Sequence, residues 1–383
     1  MSTATDQIVY PGSDQYTPGQ LAGPGSQPLD LGDEPIVRVE DAAYILFEVP
    51  DLEAQLRFLQ DFGLVLAEQS EDAIFMRGFG SAPYCYVARQ ADRPAFLGAG
   101  FSVGTRAELE QLAAATARPI EAVTGPGGGE RVRLADPDGF IVDVVHGRNS
   151  VAPLDTRREL LPVNTPARKA RINRGQRAKL EPAAVERFGH YVLMVTDFAR
   201  SFQWYRRHLG ILPTDVLCAD DGKPLLAFNR LDRGESPADH HTVVLMQGFE
   251  AAYMHSAYET LDMDSVGQGQ QYLKQQGWKH FWGIGRHILG SQIFDYWLDP
   301  CGHEMEHYAD GDVFEHDHPT GYHLMDRGGL WAWGDDLPPS MQPGKKPRDL
   351  LKILRAVLSG RLERKTLAGI KRAMDRAPRP WLS

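Results

Sequence analysis

Residues 299–312, DPCGHEMEHYADGD, place four side chains able to bind a metal within five positions: His303, Glu304, Glu306 and His307. The stretch reads as a turn, DPCG, followed by a short strand. Strand alternation puts Glu304, Glu306 and Tyr308 on one face and His303, Met305 and His307 on the other. Either face offers a ligand, and a solvated polar strand is the plain alternative. More histidines lie in short apolar settings: His190 in FGHYVLMVTD, His241 in DHHTVVLM, His255 in YMHSAYE and His287 in GRHILGSQIFDYW. Imidazole titrates near neutrality and binds transition metals, so these residues suit metal ligation or proton transfer. A second group, His316, His318 and His323 in EHDHPTGYH, offers a rival His-x-His pair inside a Pro/Gly loop.

The elements that must position these groups come in repeats. VPDLEAQLRFLQDFGL (49–64) matches VTDFARSFQWYRRHLGI (195–211), each reading as a strand end, a tight turn and a helix closing near Gly63 or Gly210. The closing motifs repeat too, ADPDGFIVDVVHG (135–147) against LDPCGHEMEHYAD (298–310). Within each copy a further strand–helix unit starts near Gly100 and near Met254. The chain thus reads as four strand–helix–strands modules, two per copy, in a mixed α+β fold. The repeat is also an internal control. Tyr44 stands where His190 stands in the second copy, Asp143 where Glu306 stands, and Gly, Ala and Phe around 98–101 face His255. A site is expected in the second copy alone, with Asp143 structural.

Composition bounds the rest. The 383 residues are 42% apolar and carry a net charge of −10, which argues against a nucleic-acid binder. No run of 18 apolar residues predicts a membrane span, and MSTATDQIVYPGSDQ lacks a signal-peptide pattern, so a cytoplasmic protein is expected. Cys85, Cys218 and Cys301 are odd in number and widely spaced, which suits reduced thiols. From Lys345 on, 12 Lys/Arg stand against three Asp/Glu, a net of +9 that leaves −19 elsewhere. Leu350, Leu351, Leu354, Val357 and Leu358 fall at helical spacing there, predicting a basic amphipathic helix.

Taken together, FGHYVLMVTD, DHHTVVLM, YMHSAYE, GRHILGSQIFDYW and DPCGHEMEHY resemble the type I extradiol ring-cleaving dioxygenases of the vicinal oxygen chelate superfamily. The resemblance runs from about residue 187 to 312, and more weakly over 41–147. It implies an N-terminal chelate-fold domain without metal over 41–148, while composition marks an extended arm over 1–40 and a linker over 149–186. A catalytic domain follows over 187–325, then a C-terminal extension over 326–383 with the basic helix. Each domain would be a pair of βαβββ modules forming a curved, incompletely closed barrel. The resemblance makes His190, His255 and Glu306 the metal ligands and leaves Glu304 and His307 as non-ligands. Two imidazoles and a carboxylate form the facial triad of non-haem Fe(II) oxygenases, and Mn(II) fits the same donors. The implied reaction opens a catechol-type ring beside its vicinal diol with O2, giving a muconic semialdehyde type product in aromatic catabolism. His241 would be the acid–base group, and His287 and Tyr296 would hydrogen-bond the substrate oxygens or the oxygenated intermediate. Val192 and Met194 share the strand face of His190 and would touch the ring. A homo-oligomer is expected, with no nucleic-acid partner; the basic tail is the single feature that raises a membrane surface. The alternatives are another metal-dependent enzyme of this scaffold, an isomerase or lyase, and a non-catalytic protein that binds an aromatic ligand.

Overall fold

The computed structural model describes residues 28–177, 179–219, 221–325, 330–338, 353, 357–358 and 364–375. The four modules are visible in chain order. The first is β1 (Asp41–Val49), α1 (Leu52–Phe62), β2 (Val65–Gln69), β3 (Ala73–Arg77) and β4 (Tyr86–Gln90). The second is β5 (Ala95–Ser102), α2 (Arg106–Thr116), β6 (Ile120–Ala122), β7 (Glu130–Ala135) and β8 (Ile141–His146). The third is β9 (Arg187–Val195), α3 (Phe198–Leu209), β10 (Leu212–Cys218), β11 (Pro224–Arg230), the short β12 (Ala238–Asp239) and β13 (Val243–Gln247). The fourth is β14 (Ala252–Glu259), α4 (Met263–Gln275), β15 (Lys279–His287), β16 (Ile293–Leu298) and β17 (Glu304–Ala309). Beyond it come β18 (Val313–Phe314), β19 (Gly321–Leu324), β20 (Trp331–Gly334) and a helix α5 (Arg364–Asp375).

Local chemistry explains why the repeat folds twice in the same way. Asp51 and Asp197 each sit extended before a helix and accept a hydrogen bond from the backbone N–H three residues on, as good N-caps do. Gly63 and Gly210 end the same helices in the left-handed conformation that a residue without Cβ adopts freely. In both copies the two modules join through their first strands. β1 pairs antiparallel with β5, and β9 with β14. The last strand of each module pairs parallel with the first: β4 on β1, β8 on β5, β13 on β9 and β17 on β14. The resulting sheets have the orders β2-β3-β4-β1-β5-β8-β7-β6 and β19-β10-β11-β13-β9-β14-β17-β16-β15-β20. The second sheet is thus lengthened at both edges by strands that follow the repeat.

The two sheets share one core. Buried Phe58 and Phe62 of α1 lie on the helix face that meets the fourth module. Phe58 meets Trp278 edge-on at 5.1 Å, and Phe62 stacks on His307 at 3.8 Å between centroids. Each buried phenyl is worth about 1.5–3 kcal/mol of transfer free energy. Between the copies, the described residues of 149–186 form no helix or strand, and Arg157 forms an ion pair with Asp262 at 2.8 Å. Residues 28–40 run without helix or strand and pack at their C-terminal end: Val37 and Val39 are buried, and the backbone N–H groups of Ile36 and Val39 donate to the Arg207 and Leu209 carbonyls of α3. Residues 1–27 of the arm lie outside the described residues, as do Leu350, Leu351 and Leu354 of the leucine stripe; Leu358 is exposed. On α5, Lys365 lies 3.9 Å from the Asp221 carboxylate, an exposed contact of little energetic weight. No described helix is long and apolar enough to cross a membrane.

Candidate metal centre

His190 lies on β9, His255 on β14 and Glu306 on β17, three adjacent strands of the second sheet. Ala257 of β14 is in register with His190 on one side and Glu306 on the other. His255 is two residues along the same strand and therefore on the same face. The small Ala257 lets the larger side chains converge over it. Both imidazole Nε2 atoms lie 3.4 Å from Glu306 Oε2. All three potential ligand atoms fall within 4.8 Å of one another. Cis donors about 2.1 Å from a cation stand roughly 3 Å apart, so little adjustment would seat one.

The electrostatics call for a positive charge at this point. Glu306 is fully buried, and neither carboxylate oxygen has a hydrogen-bond partner. Its nearest histidine nitrogens, at 3.4–3.7 Å, stand beyond ordinary hydrogen-bond length. Burying a carboxylate is costly unless neighbouring groups compensate it. Burial opposes its ionisation, yet the His190 and His287 imidazoles hold its carboxyl well below the usual range. Burial pushes His255 down to about 3 against the pull of Glu306. At neutral pH Glu306 is therefore a carboxylate and His255 a neutral imidazole, the states that metal ligation needs.

The neighbouring side chains complete the surroundings. Tyr296 on β16 is in register with Glu306, and its ring meets His255 edge-on at 5.1 Å. Burial and the nearby carboxylate raise the Tyr296 phenol well above its ordinary value, so it stays a donor. His287 Nδ1 donates to the Leu330 carbonyl at 2.7 Å, and Tyr296 OH donates to His287 Nε2 at 3.1 Å. The His241 ring lies 4.1 Å from that of His190, and burial, followed by His190, holds it well below its ordinary value. Val192 joins an apolar wall with Leu217, Leu226 and Val244, lined also by Phe228 and Leu289. Met194 lies two residues farther from His190, beside Gly248, where an added Cβ would stand 2.3 Å from its Cγ.

The remaining candidates of the opening stretch have other tasks. His307 Nε2 donates to the Phe62 carbonyl at 2.6 Å and fastens α1 to β17. His303 Nδ1 meets Asp299 Oδ2 at 3.1 Å, and its ring packs on Phe47. Asp299, Cys301 and His303 form the other metal-capable group among the described residues. The Asp299 carboxylate there already accepts from Gln55 Nε2 and from the backbone N–H groups of Cys301 and His303, which locks the DPCG turn. Glu304 is pushed up to about 7 by burial. His316 and His318 offer their carbonyls to Arg230. His323 Nε2 donates to Asp215 Oδ1 at 2.6 Å. Sequence patterns single out neither Asp215 nor His240, which meet here: His240 Nε2 is 2.7 Å from Asp215 Oδ2, and its Nδ1 is 2.7 Å from His241 Nδ1. Their visible traces are an acid within the apolar strand LPTDVLC and the doublet His240–His241.

The first copy fills the equivalent position differently. Tyr44, Gly100 and Asp143 occupy one row across β1, β5 and β8, as His190, Ala257 and Glu306 do in the second copy. The fully buried Asp143 accepts from Tyr44 OH at 2.9 Å and from Arg133 Nε and Nη2 at 2.8 Å each, with Arg131 at 3.6 Å. Guanidinium charge thus compensates the carboxylate there.

Residues 187–307 match the family model of the Glyoxalase/Bleomycin resistance protein/Dioxygenase superfamily. Over that segment the chain is similar to the members of that superfamily. Its relatives include Metapyrocatechase 2 of Cupriavidus necator, 29% identical over 310 residues that cover 78% of this chain and 90% of that protein. Homoprotocatechuate 2,3-dioxygenase from Arthrobacter globiformis superposes with a TM-score of 0.67 at 22% identity, over 82% of this chain and 93% of that one. A Mn(II)-bound glyoxalase from Novosphingobium aromaticivorans does so with the same score and identity, over 81% and 96%. Both solved structures thus share the fold of this chain, and His190, His255 and Glu306 lie inside the segment that the family model matches.

Proposed function

We propose that the protein is an extradiol dioxygenase that opens a catechol-type ring adjacent to the vicinal diol, incorporating both atoms of O2. The observation that carries this reading is the buried Glu306 carboxylate, without hydrogen-bond partners and 3.4 Å from the Nε2 atoms of His190 and His255, the latter disfavoured as a cation by burial. His190, His255 and Glu306 would hold Fe(II), with Mn(II) suited to the same donors. The metal supplies Lewis acidity toward the diol and the redox chemistry that joins O2 to the ring.

This chain's own residues do the rest. Three adjacent protein donors leave the opposite side of the centre for substrate. His241, against His190 and disfavoured as a cation, is suited to take a proton from the diol and return it as the ring opens. Tyr296, held protonated, would turn its one O–H proton from His287 Nε2 to the substrate oxygens, while His287 stays fixed through Leu330. Val192 and its apolar neighbours pack the ring and keep water from the site.

Sequence kinship to the metapyrocatechase supports dioxygenase chemistry. The glyoxalase neighbour raises an isomerase or lyase as the second reading. An enzyme drawing ligands from both copies would need a free carboxylate in the first, and Asp143 is engaged by Arg133 and Tyr44. The test is anaerobic loading with Fe(II), then O2 uptake with simple catechols. One O2 consumed per ring, with the yellow ring-opened product, is the expected result. Catechol binding without O2 uptake, or turnover of a 2-oxoaldehyde–thiol adduct instead, would overturn it.

A further inference from the structure

We propose that Asp215 and His240 are positioning residues that fix His241 as its Nδ1–H tautomer, so that its Nε2 presents a lone pair to the substrate. The proposal rests on the dioxygenase reading above for what His241 does, but its geometry stands apart from the metal.

Asp215 lies on β10, and its carboxylate is shared by two imidazoles: Oδ2 with His240 Nε2 at 2.7 Å, Oδ1 with His323 Nε2 at 2.6 Å. Burial opposes ionisation, but the two imidazoles hold the carboxyl well below its usual range, so Asp215 acts as an acceptor only. Each Nε2 must then carry a proton. In this proposal, with the Nε2 proton directed to Asp215, the remaining His240 nitrogen, Nδ1, accepts through its lone pair. It lies 2.7 Å from His241 Nδ1, a separation that demands one shared proton. His241 must supply it. The hydrogen-bond direction thus passes from a carboxylate through one imidazole to the next, and the last ring is left with a bare Nε2. A carboxylate fixes a catalytic imidazole in the same sense in the Ser-His-Asp triad.

Packing holds the chain in place. His240 and His241 are both buried, and Phe228 packs against both rings, at 5.5 and 5.1 Å. The His240 backbone N–H donates to the Asp312 carbonyl at 2.8 Å. Gly290 closes over the ring: a Cβ there would stand 3.0 Å from His240 Nδ1. His240 therefore has little room to swing away, and His241 is presented to the site from a fixed mount.

Three measurements test this. In the Zn(II)-loaded full-length protein, 15N spectra of labelled histidine, assigned by difference from a His241→Gln variant, should show His241 protonated at Nδ1 and bare at Nε2. The reverse tautomer in wild type overturns the proposal without recourse to any variant of the relay. His240→Phe keeps an aromatic ring but removes the acceptor. It should leave metal content and the KM for catechol unchanged and lower kcat by about 10²-fold, within the usual worth of a positioned acid–base group. His240→Asn returns an amide oxygen to the place of Nδ1 and should recover most of that loss. Unchanged kcat in His240→Phe, or equal losses in the Phe and Asn variants, overturns the proposal. If wild-type protein turns over no catechol, the dioxygenase reading fails, while the tautomer spectrum still decides the positioning.

Discussion

Glu306→Gln should lower stability without metal and lower it further with metal. In the metal-free protein the wild-type carboxylate is fully buried, and the His190 and His287 imidazoles hold it ionised against the cost of burial. Interactions with a charged group contribute about 1.5–3 kcal/mol. Glutamine keeps the shape but removes the charge that those imidazoles face. The metal-free variant should therefore be less stable by about 1–3 kcal/mol. At roughly 2–4 °C per kcal/mol for a domain of this size class, that is a fall of several degrees in melting temperature. Metal widens the gap. A ligand at 100 times its Kd stabilises the native state by about 2.7 kcal/mol, a gain open to wild type and lost in the variant. The assay is differential scanning calorimetry of both proteins, once with chelator and once with excess Mn(II). A variant that melts at or above wild type in chelator would refute the argument that the imidazoles compensate the carboxylate. An equal Mn(II)-induced rise in both proteins would refute the ligand assignment.

Asp143→Ala should destabilise the first copy by about 3–5 kcal/mol, because it strands the Arg133 guanidinium and the Tyr44 hydroxyl, while metal content per chain stays unchanged; unaltered urea unfolding would refute this. Metal-free stability should fall with pH: His255, pushed down to about 3 from an ordinary 6.5, holds fewer protons folded than unfolded between those values, and Glu306 acts in the same sense at lower pH, so urea midpoints should decline from about pH 6.5 downward and metal affinity with them. His241→Ala should bind metal normally yet lose turnover by about 10²–10⁴-fold; full activity across pH 6–9 would show that the ring only packs. Deletion of residues 345–383 should lower the melting temperature or change the oligomeric state while metal binding persists, and salt-resistant co-sedimentation of full-length protein with anionic vesicles would assign the tail to a membrane surface instead.

The modules were legible because their signals are local. An acidic N-cap and a left-handed glycine bound α1 and α3 within about a dozen residues, and alternation separates Glu304, Glu306 and Tyr308 from His303, Met305 and His307. The repeat itself, by setting Tyr44 against His190 and Asp143 against Glu306, located the candidate site in the second copy. Periodicity carries no information about partners distant in the chain. His307 looks as suitable a ligand as His303 until Phe62, 245 residues away, offers its carbonyl. Asp215 is one polar residue in an apolar strand until His240 and His323 arrive on its two oxygens, from 25 and 108 residues away. Arg131 and Arg133 are alternate strand residues that become the counter-charge of Asp143 only when β7 pairs with β8. Short-range backbone preference and hydrophobic alternation therefore determined which elements form and which face each side chain takes. Which buried charge meets a guanidinium, which meets imidazoles and which nitrogen of His241 bears its proton depend on contacts that exist only once the sheets have closed.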